Sequence, residues 1–156
     1  MFFVIAGSSK NLRDQTLSRL RGDLKVCGSP AFEIIPSDPG KEPHLEAKRL
    51  IDSLGTLQNE SPFGKAFARK LIYVILKEDD HLLWVNKVIA SVNNSDFKSK
   101  NALAGANTLI IDDECDQASP NAGLSKNKVA AIYGAIGDLR EAIPAHSYVG
   151  YTATPY

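Results

Sequence analysis

Leu71-Ile72-Tyr73-Val74-Ile75-Leu76 is the stretch on which the fold turns. It is apolar at odd and even positions alike, so it has no side to show to water. A strand buried on both faces belongs to a parallel sheet with helices on each side. Its short length and its β-branched and aromatic content favour a strand over a buried helical segment. Working outward, Phe2-Phe3-Val4-Ile5-Ala6, ending at Gly7, and Thr108-Leu109-Ile110-Ile111 repeat the pattern. Ser147-Tyr148-Val149-Gly150-Tyr151 reads as a last strand.

Between the strands the apolar period becomes helical. Ser8 or Ser9 can cap a helix in which Leu12, Thr16, Leu17 and Leu20 share a face and Gly22 supplies the stop. Residues 42–54 turn Leu45, Leu50, Ile51 and Leu54 inward, and residues 79–92 offer Leu82, Leu83, Val85, Val88 and Ile89, with Trp84 in the core. After Ser125, inward positions Val129, Ile132, Tyr133, Ile136 and Leu139 recur until Pro144 ends the helix. Residues 23–41, broken by Gly28, Pro30, Pro36, Pro39 and Gly40, read as a long connection. Strand and helix alternate throughout, which predicts an α/β class with a three-layer, mainly parallel sheet.

The 156 residues are one domain's worth, and no repeat or composition break divides them. Hydrophobic residues at 44% and charged residues at 23% exclude disorder, coiled coil and collagen. No apolar run approaches the ~20 residues that cross a bilayer. The opening MFFVIAG lacks a basic region and a long apolar region, so it does not read as a signal peptide. Cys27 and Cys115 form no framework or CxxC pair, and reduced thiols in a cytoplasmic protein are expected. His44, His81 and His146 stand apart from one another and from cysteine, which argues against zinc.

Lys plus Arg equals Asp plus Glu at 18 each, so bulk charge does not argue for nucleic acid. The charge is uneven along the chain, however. Residues 1–30 hold five basic and two acidic side chains, and residues 101–156 hold three basic and six acidic. Four of those six acids are Asp112, Asp113, Glu114 and Asp116. They follow an apolar strand, at the edge of a parallel sheet where α/β proteins bind ligands. Acids at a strand end can simply cap the next helix. Crowding them costs like-charge repulsion unless a cation or a basic partner offsets it, and at a strand end the cluster is read as Mg²⁺ and phosphate chemistry.

Ile110-Ile111-Asp112-Asp113-Glu114-Cys115-Asp116 resembles the Walker B motif of superfamily 2 helicase-like ATPases, and Tyr151-Thr152-Ala153-Thr154-Pro155 resembles their motif III. More narrowly, residues 112–119 and 148–156, together with Ala6-Gly7 and Asn11-Leu12-Arg13-Asp14-Gln15-Thr16, are similar to the Z-one domain family. That family groups endonuclease-type proteins found near bacterial restriction and phage-defence genes. The resemblance implies a RecA-like (P-loop NTPase-like) domain acting on nucleic acid, with DNA expected, and using ATP and Mg²⁺. It implies that Asp113, with Asp112 beside it, holds the metal and that Glu114 is the general base. Asp116 would link the metal site to motif III, with Thr152 and Thr154 as its hydroxyl partners, and Arg13, Gln15 and Thr16 would face the nucleic acid.

A phosphate-cradling loop needs Gly-x-x-x-x-Gly-Lys-Ser/Thr. Gly40-Lys41-Glu42 and Gly64-Lys65-Ala66 both lack the hydroxyl and the earlier glycine. The expectation is therefore a single partial domain, residues 1–156, lacking its Walker A strand and inactive apart from the remaining segments of a parent protein. A sheet missing that strand would expose an apolar edge beside the Walker B strand, predicting a homodimer, a rearranged sheet or poor solubility. Two other readings stay open: a metal-dependent nuclease using the same acids, and a non-catalytic scaffold. A nuclease core wants a Lys near its acids, and the next basic residue along the chain is Lys126.

Overall fold

The computed structural model describes residues 1–26, 32–58, 70–95, 103, 106–115 and 126–152. Among the described residues five strands and four helices alternate: β1 (Phe2–Ala6), α1 (Lys10–Val26), β2 (Phe32–Pro36), α2 (Pro43–Gln58), β3 (Lys70–Leu76), α3 (Asp79–Asn93), β4 (Thr108–Asp113), α4 (Lys126–Glu141) and β5 (His146–Tyr151). The sheet is parallel throughout, in the order β2-β3-β1-β4-β5. The α/β class and the parallel sheet are as the apolar runs predict.

The order decides which face each helix covers. The β1 to β2 connection runs toward one edge of the sheet, and the other three run the opposite way. Right-handed crossovers then put α1 on one face and α2, α3 and α4 on the other. Side-chain alternation follows this division. Phe3 and Ile5 pack with Leu50 and Leu54 of α2, Leu82, Val85 and Ile89 of α3, and Ile132 and Leu139 of α4. Val4 and Ala6 pack with Leu17 and Leu20 of α1. In β3, Leu71 through Leu76 are all buried, since both layers cover that strand.

Two corrections concern elements. Residues 23–41 are not one connection: α1 runs through Gly22 to Val26, and Phe32–Pro36 forms β2. The strand escapes sequence reading because Pro36 ends it, and proline is tolerated here only because β2 lies at the edge of the sheet. Gly22 sits in open space within α1 and costs helix propensity without ending it. Three side chains assigned inward are exposed: Leu45, Leu83 and Tyr133. Helical spacing marks a stripe, but its margins depend on where the neighbouring helix lies. Trp84 is core, and its Nε1–H donates to the Lys41 carbonyl at 2.7 Å.

The apolar edge expected beside β4 is covered, because β5 pairs with β4 from Thr108↔His146 to Asp113↔Tyr151. The sheet edge is β5 itself, with Val149 and Tyr151 exposed.

Candidate active site

Strand parity sorts the acids. In β4, Thr108, Ile110 and Asp112 are buried on the three-helix side, and Leu109, Ile111 and Asp113 alternate with them. Asp112 is thus driven into the core, at 1% exposure. Its Oδ1 lies 2.6 Å from Lys77 Nζ, an ion pair whose approach angle falls outside hydrogen-bonding geometry. Its Oδ2 accepts a hydrogen bond from the Tyr148 hydroxyl at 2.7 Å. Burial first, and the Asp112 carboxylate second, push the Tyr148 phenol well above its ordinary range. The Arg140 guanidinium rests 4.5 Å from the centre of the Tyr148 ring.

Lys77 follows β3 directly and is 2% exposed. Besides Asp112, its ammonium donates to the Asp113 carbonyl at 2.9 Å and to the Glu114 carbonyl at 2.8 Å. Sequence reading missed it. The one visible signal is a lysine at the carboxyl end of the most apolar strand, where an ammonium must find acceptors or stay out of the core.

Beyond Asp112 the chain turns sharply. Asp113 is half-buried, and its Oδ1 accepts the Glu114 N–H at 3.0 Å. Glu114 has φ +53°, the left-handed region that costs a non-glycine residue ~1–2 kcal/mol. Its side chain folds over the end of β1, where a Cβ on Gly7 would collide with Glu114 Oε2 and come within 2.8 Å of Leu12 Cδ1. The absence of a side chain at Gly7 therefore makes room for Glu114. Ladder pairing resumes when the Cys115 N–H donates to the Tyr151 carbonyl at 3.0 Å. Tyr133 adds a hydroxyl contact to the Cys115 carbonyl at 3.4 Å. Asp113, Glu114 and Thr152 thus leave the sheet at one edge, and Asp116 and Thr154 lie outside the described residues.

A cleft of about 570 Å³ opens at the carboxyl ends of β2 and β3, beside the first turn of α1. Lys10, Arg13, Ser37, Asp38, Glu78 and His81 line it. Of the three residues expected to face nucleic acid, Arg13 lines this cleft and pairs with Asp14 at 2.9 Å. Gln15 is exposed on α1, and the Thr16 hydroxyl turns back to the Leu12 carbonyl at 3.1 Å. Buried Ser37 bridges the cleft floor: its Oγ accepts the Leu76 N–H at 3.3 Å and lies 2.7 Å from His81 Nδ1.

His81 is not isolated, because ligand atoms of Glu78, Asp80 and His81 lie within 4.8 Å of one another. Of the acids there Asp80 has another task, whereas Glu78, at the N-cap, makes no side-chain cap hydrogen bond. Asp79 and Asp80 occupy the first turn of α3, and their carboxylates accept the Asp80 and His81 amides at 3.1 and 2.8 Å. That is what a helix start asks of acids without any cation.

For a cation at the β4 acids, fit depends on which oxygens remain. Of the oxygens of Asp112 and Asp113, both of Asp112 face protein groups and Asp113 Oδ1 accepts a backbone amide, which leaves Asp113 Oδ2 for a cation. Compared with protein-family models, with curated proteins and with solved structures, the chain matches none.

Proposed function

We propose that this chain carries the acid and hydroxyl half of a RecA-like, Mg²⁺-dependent ATP hydrolase acting on nucleic acid, DNA in the first instance, in the manner of a helicase-like or endonuclease protein. One observation carries the reading: β4 and β5 are parallel neighbours with Asp113 opposite Tyr151. The two motif-bearing strand ends therefore deliver Asp113, Glu114 and Thr152 to a single edge, where coupling acid to hydroxyl demands them. Asp113 would hold Mg²⁺, whose charge would neutralise the phosphates. Asp112 has a different task, anchoring the turn through Lys77 and Tyr148. Glu114 takes the proton of the attacking water, and Arg13 meets the nucleic-acid backbone from the cleft.

Replacing Glu114 by Gln keeps the shape and removes the base. In the full-length gene product, Glu114→Gln is expected to lower DNA-stimulated ATP hydrolysis by ~10²–10⁴-fold, with nucleotide affinity unchanged. Unaltered turnover would reject the reading. The nuclease alternative needs a lysine facing the acids, and the fold does bring Lys77 there. Its ammonium is buried and directed to one carboxylate and two carbonyls, though, so it is not presented to a phosphate. DNA cleavage with Mg²⁺ and without ATP, abolished by Asp113→Ala, would put that alternative first.

A further inference from the structure

We infer that Lys77 is a positioning residue: it holds the turn at Asp113 and Glu114 in its left-handed shape, and Asp112 serves to keep the Lys77 ammonium in place. The inference rests on the hydrolase reading above. An ammonium has three protons to place. Here two go to the successive carbonyls of Asp113 and Glu114 at 2.9 and 2.8 Å, and Asp112 Oδ1 pairs ionically with the ammonium at 2.6 Å. Successive carbonyls converge on one cation only where the chain bends, and the bend is the residue at φ +53°.

The route of the side chain is also specific. Lys77 follows Leu76, which pairs with Ala6, so the next residue of the strand between, Gly7, stands beside its path to β4. Gly7 has no side chain to block Glu114. Stability alone does not account for the arrangement, because an apolar pair of similar volume holds strand ends together equally well. What an apolar pair cannot do is bind two backbone carbonyls. Pairing with Lys77 also cancels the charge of Asp112, leaving Asp113 and Glu114 as the net charge of the turn.

The test uses the full-length protein, with urea stability, ATP turnover and the Mg²⁺ concentration for half-maximal turnover as readouts. Lys77→Met alone strands a buried carboxylate and is expected to unfold. The informative variant is Lys77→Met with Asp112→Leu and Tyr148→Phe, which removes both buried charges together with the hydroxyl that donates to Asp112. Its urea midpoint is expected to stay at the wild-type value. Its Mg²⁺ requirement should rise by ~10–100-fold with a matching loss of kcat, because the carbonyls lose their donor. Wild-type Mg²⁺ requirement and kcat in that variant would overturn the inference. So would joint loss of stability and turnover, which makes the pair merely structural. A wild-type protein that hydrolyses no ATP would fail earlier, overturning the hydrolase reading and with it the role assigned to Lys77.

Discussion

At the scale of single residues, the acids of β4 divide by parity. Alternate positions along a strand face opposite ways, so neighbouring aspartates receive opposite environments, one in the core and one at the rim. The sequence made the cluster legible, but not this division, because the partner that neutralises Asp112 comes from a different strand. Gly7 shows the same dependence on distant chain. An added methyl there meets the end of the Glu114 side chain and Leu12 Cδ1. Gly7→Ala should therefore displace the Glu114 carboxylate first, at a cost of ~1–3 kcal/mol. Urea denaturation and ATP turnover on the same samples check this, with the larger loss expected in turnover. A variant unchanged in both would show that Glu114 does not depend on that space.

At the scale of elements, β3 is tied to α2 through a polar contact inside the core. The Tyr73 hydroxyl donates to Glu46 Oε1 at 3.0 Å, and Arg49 pairs with both Glu46 and Glu33 of β2. Burial, then the Glu46 carboxylate, raise the Tyr73 phenol far above its usual range. The sign follows directly. The unfolded chain releases this proton near pH 10, while the folded chain retains it. Stability is thus whole below pH ~10 and falls as pH climbs further. Melting temperatures from pH 8 to 11 should show that decline, and Tyr73→Phe should flatten it. Equal slopes in the two proteins would assign the alkaline loss elsewhere.

Elements with a strong apolar signature were legible to within a few residues, as β1, β3, β4 and α3 show. The element missed was β2, an edge strand with one face of modest burial and a proline at its end. Edge strands need less apolar surface than central ones, so their pattern is fainter and turn residues mask it.

At the scale of the whole molecule, coverage of the sheet is unequal. Among the described residues three helices lie on one face and α1 alone on the other, where it packs on β1, β2 and β3. Toward β5, Val149 and Tyr151 stay exposed on the outermost strand, whose far side meets no strand among the described residues. Such an edge invites pairing with a second β-strand. Sedimentation of the chain should therefore show concentration-dependent association, and Val149→Lys should shift it toward monomer. A wild-type chain that stays monomeric at high concentration would reject this. None of this was legible locally, since sheet order is a property of connections rather than of any one segment.

The central place of β1 has a consequence for synthesis. Its two neighbours begin pairing at Ile72 and Leu109, so β1 is made well before either partner and is enclosed late. At ~5–20 residues per second, Phe2 waits on the order of 3–14 s for β3 and longer for β4. Throughout that interval α1 can cover one face of this apolar strand, while its other face and both its edges wait for chain not yet made.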